Sequence, residues 1–308
     1  MVIGVIASRL EKTSEDFFLA GRQTPWWGVA GSIFGSNVSA NHMVGMMGIG
    51  FSVGFAQAHF ELGAIVGLML LCYGLLPVFR KLKIYTLSQY LGERYDERSR
   101  LSYSLIMIAL MAITQMVPAL YIGSRSVCVL IGGDAVKQVG SFNHTDPSKT
   151  TVNSINLKNS NSLERGTSTY TGKIHVNPIF YSIFVVALAV VSASYTIWGG
   201  LKAVIWTDVI QSNLLLGAGI LLAFLTFNQI GGWNSLIAID EAGAGKMHLY
   251  LPSNHPDLPW TGVLSGLMAL HCFYWGTNQF IVQRTLSART ESEARFGIIT
   301  AGFLKLLI

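Results

Sequence analysis

Four ionisable side chains stand inside stretches that are otherwise apolar: His42, Glu61, His271 and Lys305. Within a membrane span such groups are costly and functional by default. Lys305 lies about 13 residues past the charged start of its helix, hence roughly 20 Å deep. An ammonium there must face a carboxylate, carbonyls or a wet cavity. Glu61 is the acid deep in its own span, so the two can share a polar centre; the plainer reading is an ion pair that holds helices together. Each histidine alone is as much a packing residue as a ligand. Asp208 follows Trp206 and Thr207 near a helix start. It is either favoured there by the helix dipole or a stop for a cation on an inner route, and position leaves these even.

The backbone carries a second signal. Residues 26–51 form an apolar run of roughly 25 residues, long enough to cross a bilayer. Its middle reads Gly35-Ser36-Asn37-Val38-Ser39-Ala40-Asn41-His42, small and hydrogen-bonding residues that make a poor helix. A spanning helix that breaks there frees carbonyls, which is tolerated only where they are buried in protein or line a cavity. Such carbonyls suit a hard cation. Gly31, Gly35, Gly45, Gly48, Gly50 and Gly54 also offer a face for close helix packing, and both readings coexist. A later span is interrupted by His271-Cys272-Phe273-Tyr274-Trp275-Gly276-Thr277-Asn278-Gln279. Aromatics followed by glycine and amides favour a cavity wall, where ring faces stack on sugars and amides bond hydroxyls.

The elements that must position these residues are membrane helices. Of 308 residues, 51% are hydrophobic and 12% charged, about half the charged share of a soluble domain. The fold class expected is all-α and integral to a bilayer. The net charge of +5 sits in loops without interleaved aromatics, which excludes a nucleic-acid surface. Cys72, Cys128 and Cys272 are odd in number and far apart, against a disulfide framework or a zinc site. No HExxH, GxSxG or P-loop is present, so the chain is not read as an enzyme. A membrane metalloenzyme built on His42, Glu61 and His271 lacks ligand spacing on any one helix.

In order, residues 1–8 resemble the tail of a preceding helix, 9–131 hold a polar linker and three spans, and 132–177 form a polar loop. Residues 178–229 hold two spans joined tightly at Gly199-Gly200, and 230–260 form a second polar loop that can carry a surface helix. Residues 261–308 hold a sixth span and the start of a seventh, and both chain ends read as incomplete spans. All belong to one expected domain. A short helix is expected near residues 86–95. The excess of Lys and Arg in 9–22, 80–100 and 284–295 places these segments in the cytoplasm. The loop with the sequon Asn143-His144-Thr145 is then outside.

With these residues in view a family resemblance emerges. Glu15–Arg22 with Pro25-Trp26-Trp27, then Ser36-Asn37-Val38-Ser39-Ala40, is similar to the opening of the sodium:solute symporter family. Tyr195–Val204 with Thr207-Asp208-Val209-Ile210-Gln211 resembles its most diagnostic segment. Tyr274–Gln279, Gln283-Arg284-Thr285-Leu286 and Phe303-Leu304-Lys305 resemble its sodium/sugar cotransporter branch. The likeness runs through nearly the whole chain except residues 132–176. It implies a five-plus-five inverted repeat in which the first helix of each repeat breaks at the midplane. Five spans here would form the first repeat and the sixth would open the second.

The resemblance further implies sodium held by the carbonyls of Gly35 and Val38, completed by hydroxyls of a later helix, with Asp208 on the inner sodium path. It puts His42, Glu61, His271 and Lys305 at sugar contacts. Tyr274 would close the site from inside, flanked by Phe273 and Trp275, and Met46 and Phe60 would form the outer gate. Ala64 departs from a bacterial galactose transporter of the branch, which has a hydroxyl there; His42 and His271 replace its amides. The expectation is a multi-pass plasma-membrane protein that carries a sugar or polyol with sodium by alternating access. Sodium is the coupling ion and no cofactor is expected. Alternatives are a sodium symporter for a sugar acid, nucleoside or carboxylate, or a symporter-like sensor that transports nothing.

Overall fold

A computed structural model describes residues 13–38, 42–132, 136–139, 173–240 and 246–307. Residues 1–8, the Ser39–Asn41 part of the expected break and the Asn143 sequon lie outside these. Helix starts follow from polar side chains that take up free N–H groups. Thr13 caps α1 (Ser14–Leu19) in a reciprocal pair with Asp16, and Pro25 precedes α2 (Trp26–Asn37). A wide turn, His42–Met46, then leads into α3 (Met47–Val53). Gly54 has φ 84 and ψ −149, backbone that favours glycine. It separates α3 from α4 (His59–Met69), which runs through a second wide turn into α5 (Leu76–Lys81).

Thr86 caps α6 (Leu87–Arg94), the short helix expected in the basic loop. Asp96 caps α7 (Glu97–Leu110), which continues through Met111–Met116 into α8 (Val117–Ile131). Strands β1 (Val136–Val139) and β2 (Lys173–Val176) pair antiparallel, Val136 opposite Val176. The all-α expectation had no strands, and this small ladder departs from it in the segment read as a polar loop; pairing satisfies backbone groups that a loop would leave to water.

Helix α9 (Pro178–Ile230) is 53 residues long, about 80 Å at 1.5 Å per residue, more than twice a bilayer core. Gly200, at φ 50 and ψ −158, divides it where the Gly199-Gly200 pair predicts a tight joint. The surface helix considered for the second polar loop is α10 (Gly232–Ile239). Then come α11 (Met268–Gly276), α12 (Gln279–Leu286) and α13 (Glu291–Lys305). Thr277 leaves helical geometry at φ −126, ψ −4, and Asn278 caps α12. The expected sixth span thus ends at the glycine–amide interruption. Among the described residues three helical stretches are long and apolar enough to cross a membrane: Met47–Lys81, Glu97–Ile131 and Pro178–Ile230.

Two units emerge. The smaller, Tyr121–Leu188, contains most of α8, the β1–β2 ladder and the start of α9, with Tyr121 edge-on to Tyr181 at 6.0 Å. The larger holds the remaining elements, and its core gathers Val29, Ile33, Leu68, Leu71, Ile281 and Ile298. Close helix contacts use missing side chains. A Cβ on Gly67 would stand 2.3 Å from the His271 carbonyl oxygen of α11, and one on Gly297 would stand 2.8 Å from Val29 Cβ of α2.

Candidate functional site

The site is built where α2 stops. Val38 leaves the helix at φ −80, ψ 103, and the chain turns helical again at His42. Asn37, 5% exposed at this helix end, holds two partners. Its Oδ1 accepts from the Lys305 ammonium, and its Nδ2 donates to Tyr274 OH at 3.2 Å. Lys305, at the end of α13 and 1% exposed, also pairs with Glu61 Oε2 of α4 and lies 4.9 Å from the Trp275 ring centre. His42 Nε2 stands 3.7 Å from the other Glu61 oxygen. Desolvating an ammonium costs several kcal/mol; a carboxylate, an amide oxygen and an aromatic face together offset it.

His42, Glu61 and Lys305 line a cavity of about 770 Å³ with Val38, Met46 and Gln57, within the usual range for small-ligand sites. Its centre carries one fixed negative and one fixed positive charge already paired. What remains is hydrogen bonding: carboxylate oxygens that accept, ammonium hydrogens that donate, and an imidazole that can do either.

His271 stands apart from that lining. Its ring packs on Gly63 of α4, where a Cβ would come within 2.2 Å. Its buried Nε2 has no hydrogen-bond partner. The gate residues also divide. Met46 faces the cavity, whereas Phe60 is half-buried and not part of its lining. Phe273, Tyr274 and Trp275 are consecutive on α11, so they point about 100° apart. Phe273 is 40% exposed, Trp275 lies buried under Lys305, and Tyr274 packs edge-on to Trp275 at 5.2 Å and Phe280 at 5.5 Å.

Asp208 forms a second buried centre. Ser32 and Ser36, four apart on one face of α2, donate to its Oδ2 at 2.6 and 2.7 Å. Arg284 of α12 reaches the same oxygen at 3.1 Å through one terminal nitrogen, and its Nε donates to Ser32 Oγ at 2.8 Å. Gly35 packs on the Asp208 backbone carbonyl, where a Cβ would meet it at 2.5 Å. Arg284 falls in segment 284–295, read from the sequence as cytoplasmic, yet it is 8% exposed and bonds from α12 to α2 and α9. The sequence marks Ser36 and Asn37 as parts of the expected break but not as side chains of the site, and does not single out Ser32 or Gln57. The four-residue spacing of the serines is a usable signal; Gln57 is a single polar residue in an apolar run.

Two further assemblies flank the site. Phe55 N–H donates to the Lys246 carbonyl at 2.6 Å, His59 Nε2 is 2.9 Å from the Leu249 carbonyl, and the His59 ring packs on Tyr250 at 4.6 Å. Residues 246–250 are thereby strapped across the α3–α4 junction. Elsewhere Gln283 donates to the Phe18 carbonyl at 2.6 Å, Arg289 to the Gln23 carbonyl at 2.8 Å, and Arg80 to the Ala288 carbonyl at 3.1 Å. Among the described residues no three of His, Cys, Asp and Glu gather as a metal site.

Comparison with known proteins places this geometry. The family model described as the sodium:solute symporter family matches residues 17–139 and 176–308. A sodium/glucose cotransporter of Vibrio parahaemolyticus is 31% identical over 306 residues, covering 97% of this chain and 48% of that protein. Sodium/glucose cotransporter 1 of Ovis aries is 28% identical over 330 residues, covering all of this chain and 43% of the relative. Sodium/myo-inositol cotransporter 2 of Sus scrofa is 29% identical over 311 residues, covering 96% and 39%. The chain spans about half the length of the curated relatives it matches. A solved structure of a Na+-coupled sialic acid symporter, substrate-bound and outward-open, superposes with a TM-score of 0.73 at 24% identity. It covers 99% of this chain and 54% of that one, and the likeness is one of fold.

Proposed function

Because this chain belongs to the sodium:solute symporter family, we propose that it forms the solute-binding part of a sodium-coupled symporter for a neutral sugar or polyol. The observation that carries the reading is the Glu61–Lys305 pair, with His42 and Asn37, on the 770 Å³ cavity beside the Val38 break. Glu61 and His42 accept from solute hydroxyls and Lys305 donates. Sodium, the co-transported ion, sits at the carbonyls of Gly35 and Val38, where α2 ends. Its binding holds the two halves of the broken span in the arrangement that presents His42, so each ligand tightens the other. With both bound, the α2 region rocks between outward and inward openings. Met46 and Phe60 close the outer side, and Tyr274 with Phe273 and Trp275 the inner. His271 acts from behind Glu61, through its packing on Gly63. Asp208 forms the inner end of the sodium path and opens when its bonds to Ser32, Ser36 and Arg284 part.

We place residues 9–22, 80–100 and 284–295 in the cytoplasm of a plasma-membrane protein on their Lys and Arg excess; the bonds Gln283 to Phe18, Arg289 to Gln23 and Arg80 to Ala288 support only that the three segments share one side. A neutral solute is favoured over a sugar acid because Lys305, the one Lys or Arg among the described residues that line the cavity, is already paired with Glu61. The full-length protein in liposomes takes up radiolabelled D-glucose, D-galactose or myo-inositol at least tenfold faster with sodium than with potassium outside. Equal rates in the two salts overturn the coupling. Competition by glucuronate as strong as by glucose overturns the preference for a neutral solute.

A further inference from the structure

One polar side chain on the cavity wall has no role in the arrangement above. Gln57 lies in the tight turn between Gly54 and Ala58, ahead of α4. Its side chain is 8% exposed, and its buried Oε1 has no hydrogen-bond partner. It lines the same cavity as Glu61 and His42, between the apolar Phe55 and Leu62. A buried amide oxygen left unpaired is destabilising by an amount comparable to a lost hydrogen bond or more. Folding alone gives no reason to keep an amide here, since a leucine or methionine would fill the space without that cost. A bound ligand supplies what the chain does not.

We infer that Gln57 is a specificity-determining contact, its amide pairing with a hydroxyl of the solute on the edge opposite to that held by Glu61 and Lys305. This rests on the symport reading given above. Gln57 and Glu61 both line the cavity, the one in the tight turn and the other in the first turn of α4, so a solute held by Glu61 lies within reach of the amide. An amide offers one acceptor and two donors without charge. It therefore reads a neutral hydroxyl and is indifferent to net charge. A site whose buried polar group is met by a particular hydroxyl rejects the analogue that lacks it. Glu61 and Lys305 would fix the ring in place; Gln57 would decide which epimer or deoxy analogue is accepted.

The test uses the full-length protein in liposomes, with sodium-driven uptake of glucose, galactose and myo-inositol and of the single-deoxy forms of the best substrate. Gln57→Leu raises the KM of the best substrate about tenfold or more. For one deoxy analogue the wild type and the variant then have the same KM, because the missing hydroxyl is the one the amide met. Gln57→Met, similar in length and without the amide, carries the same test if the leucine variant does not reach the membrane. An unchanged KM in either variant overturns the assignment, as does a KM raised equally for the parent and every deoxy analogue, which marks a structural role. Wild-type protein with no sodium-dependent uptake of any of these solutes overturns the symport reading, and the inference with it.

Discussion

Single residues decide the two buried charge centres. Glu61 is 8% and Lys305 1% exposed, so removing one partner leaves the other charge without compensation. Breaking a buried pair in this way costs about 3–5 kcal/mol. Glu61→Gln is expected to lower the thermal midpoint of the purified protein markedly and to abolish solute uptake. The double variant Glu61→Gln with Lys305→Met recovers much of the stability but none of the uptake. Stability and binding separate in that comparison, which a purely structural ion pair would not allow. At the other centre, Arg284 bonds Asp208, Ser32 and the Phe280 carbonyl at once. A lysine cannot reproduce that fork. Arg284→Lys is expected to be destabilised by about 1–3 kcal/mol, read as a lower denaturation temperature in detergent, while Ser36→Ala costs less because Ser32 still donates to the same oxygen.

Elements meet through places where side chains are missing. Gly63 and Gly67 put one face of α4 against α11, with the His271 ring and backbone in the space a Cβ would fill. Gly67→Ala is expected to cost about 3 kcal/mol, the upper end for overpacking, whereas Gly48→Ala, which meets nothing within 4 Å, changes stability by less than about 0.5 kcal/mol. Thermal unfolding of both variants checks the contrast. The strap over the α3–α4 junction depends on His59, which bonds the Leu249 carbonyl and packs on Tyr250. His59→Ala is expected to speed hydrogen exchange and proteolysis in residues 248–250 while leaving α4 itself protected, since Lys246 and Met247 keep their own bonds to Phe55, Phe51 and Asp240.

For the molecule as a whole, the arrangement of loops sets a testable orientation. Arg98 and Tyr250 are both exposed, one in the basic loop and one in the strap. In intact cells a membrane-impermeant thiol reagent is expected to label Tyr250→Cys from outside and Arg98→Cys only after the membrane is opened. Cys72 and Cys128 are buried and Cys272 half-buried, so background labelling is low. Labelling of Arg98→Cys in sealed cells would reverse the orientation that the Lys and Arg distribution implies.

Sequence alone exposed the apolar stretches and the places within them that make poor helix. In a bilayer every backbone group must be bonded within its segment, so apolar length, the Gly199-Gly200 joint, the Gly276 interruption and the poor helix around Asn37 are local facts that composition exposes. Lys305 and Glu61 were legible for the same reason: a charge in an apolar run has to be explained. Apart from the Glu61–Lys305 pair, which the sequence already suggests, tertiary structure decided who meets whom. Asn37 reaches Lys305 across 268 positions and Ser32 reaches Asp208 across 176, and nothing local to either residue encodes the distance. Helix rotation sent His271 behind Gly63 and spread Phe273, Tyr274 and Trp275 to different neighbours, though all four are close in sequence. Close packing between helices also drew Arg284 from a loop assignment into the core. Partner choice is a property of the packed faces, and those faces exist only once the helices have met.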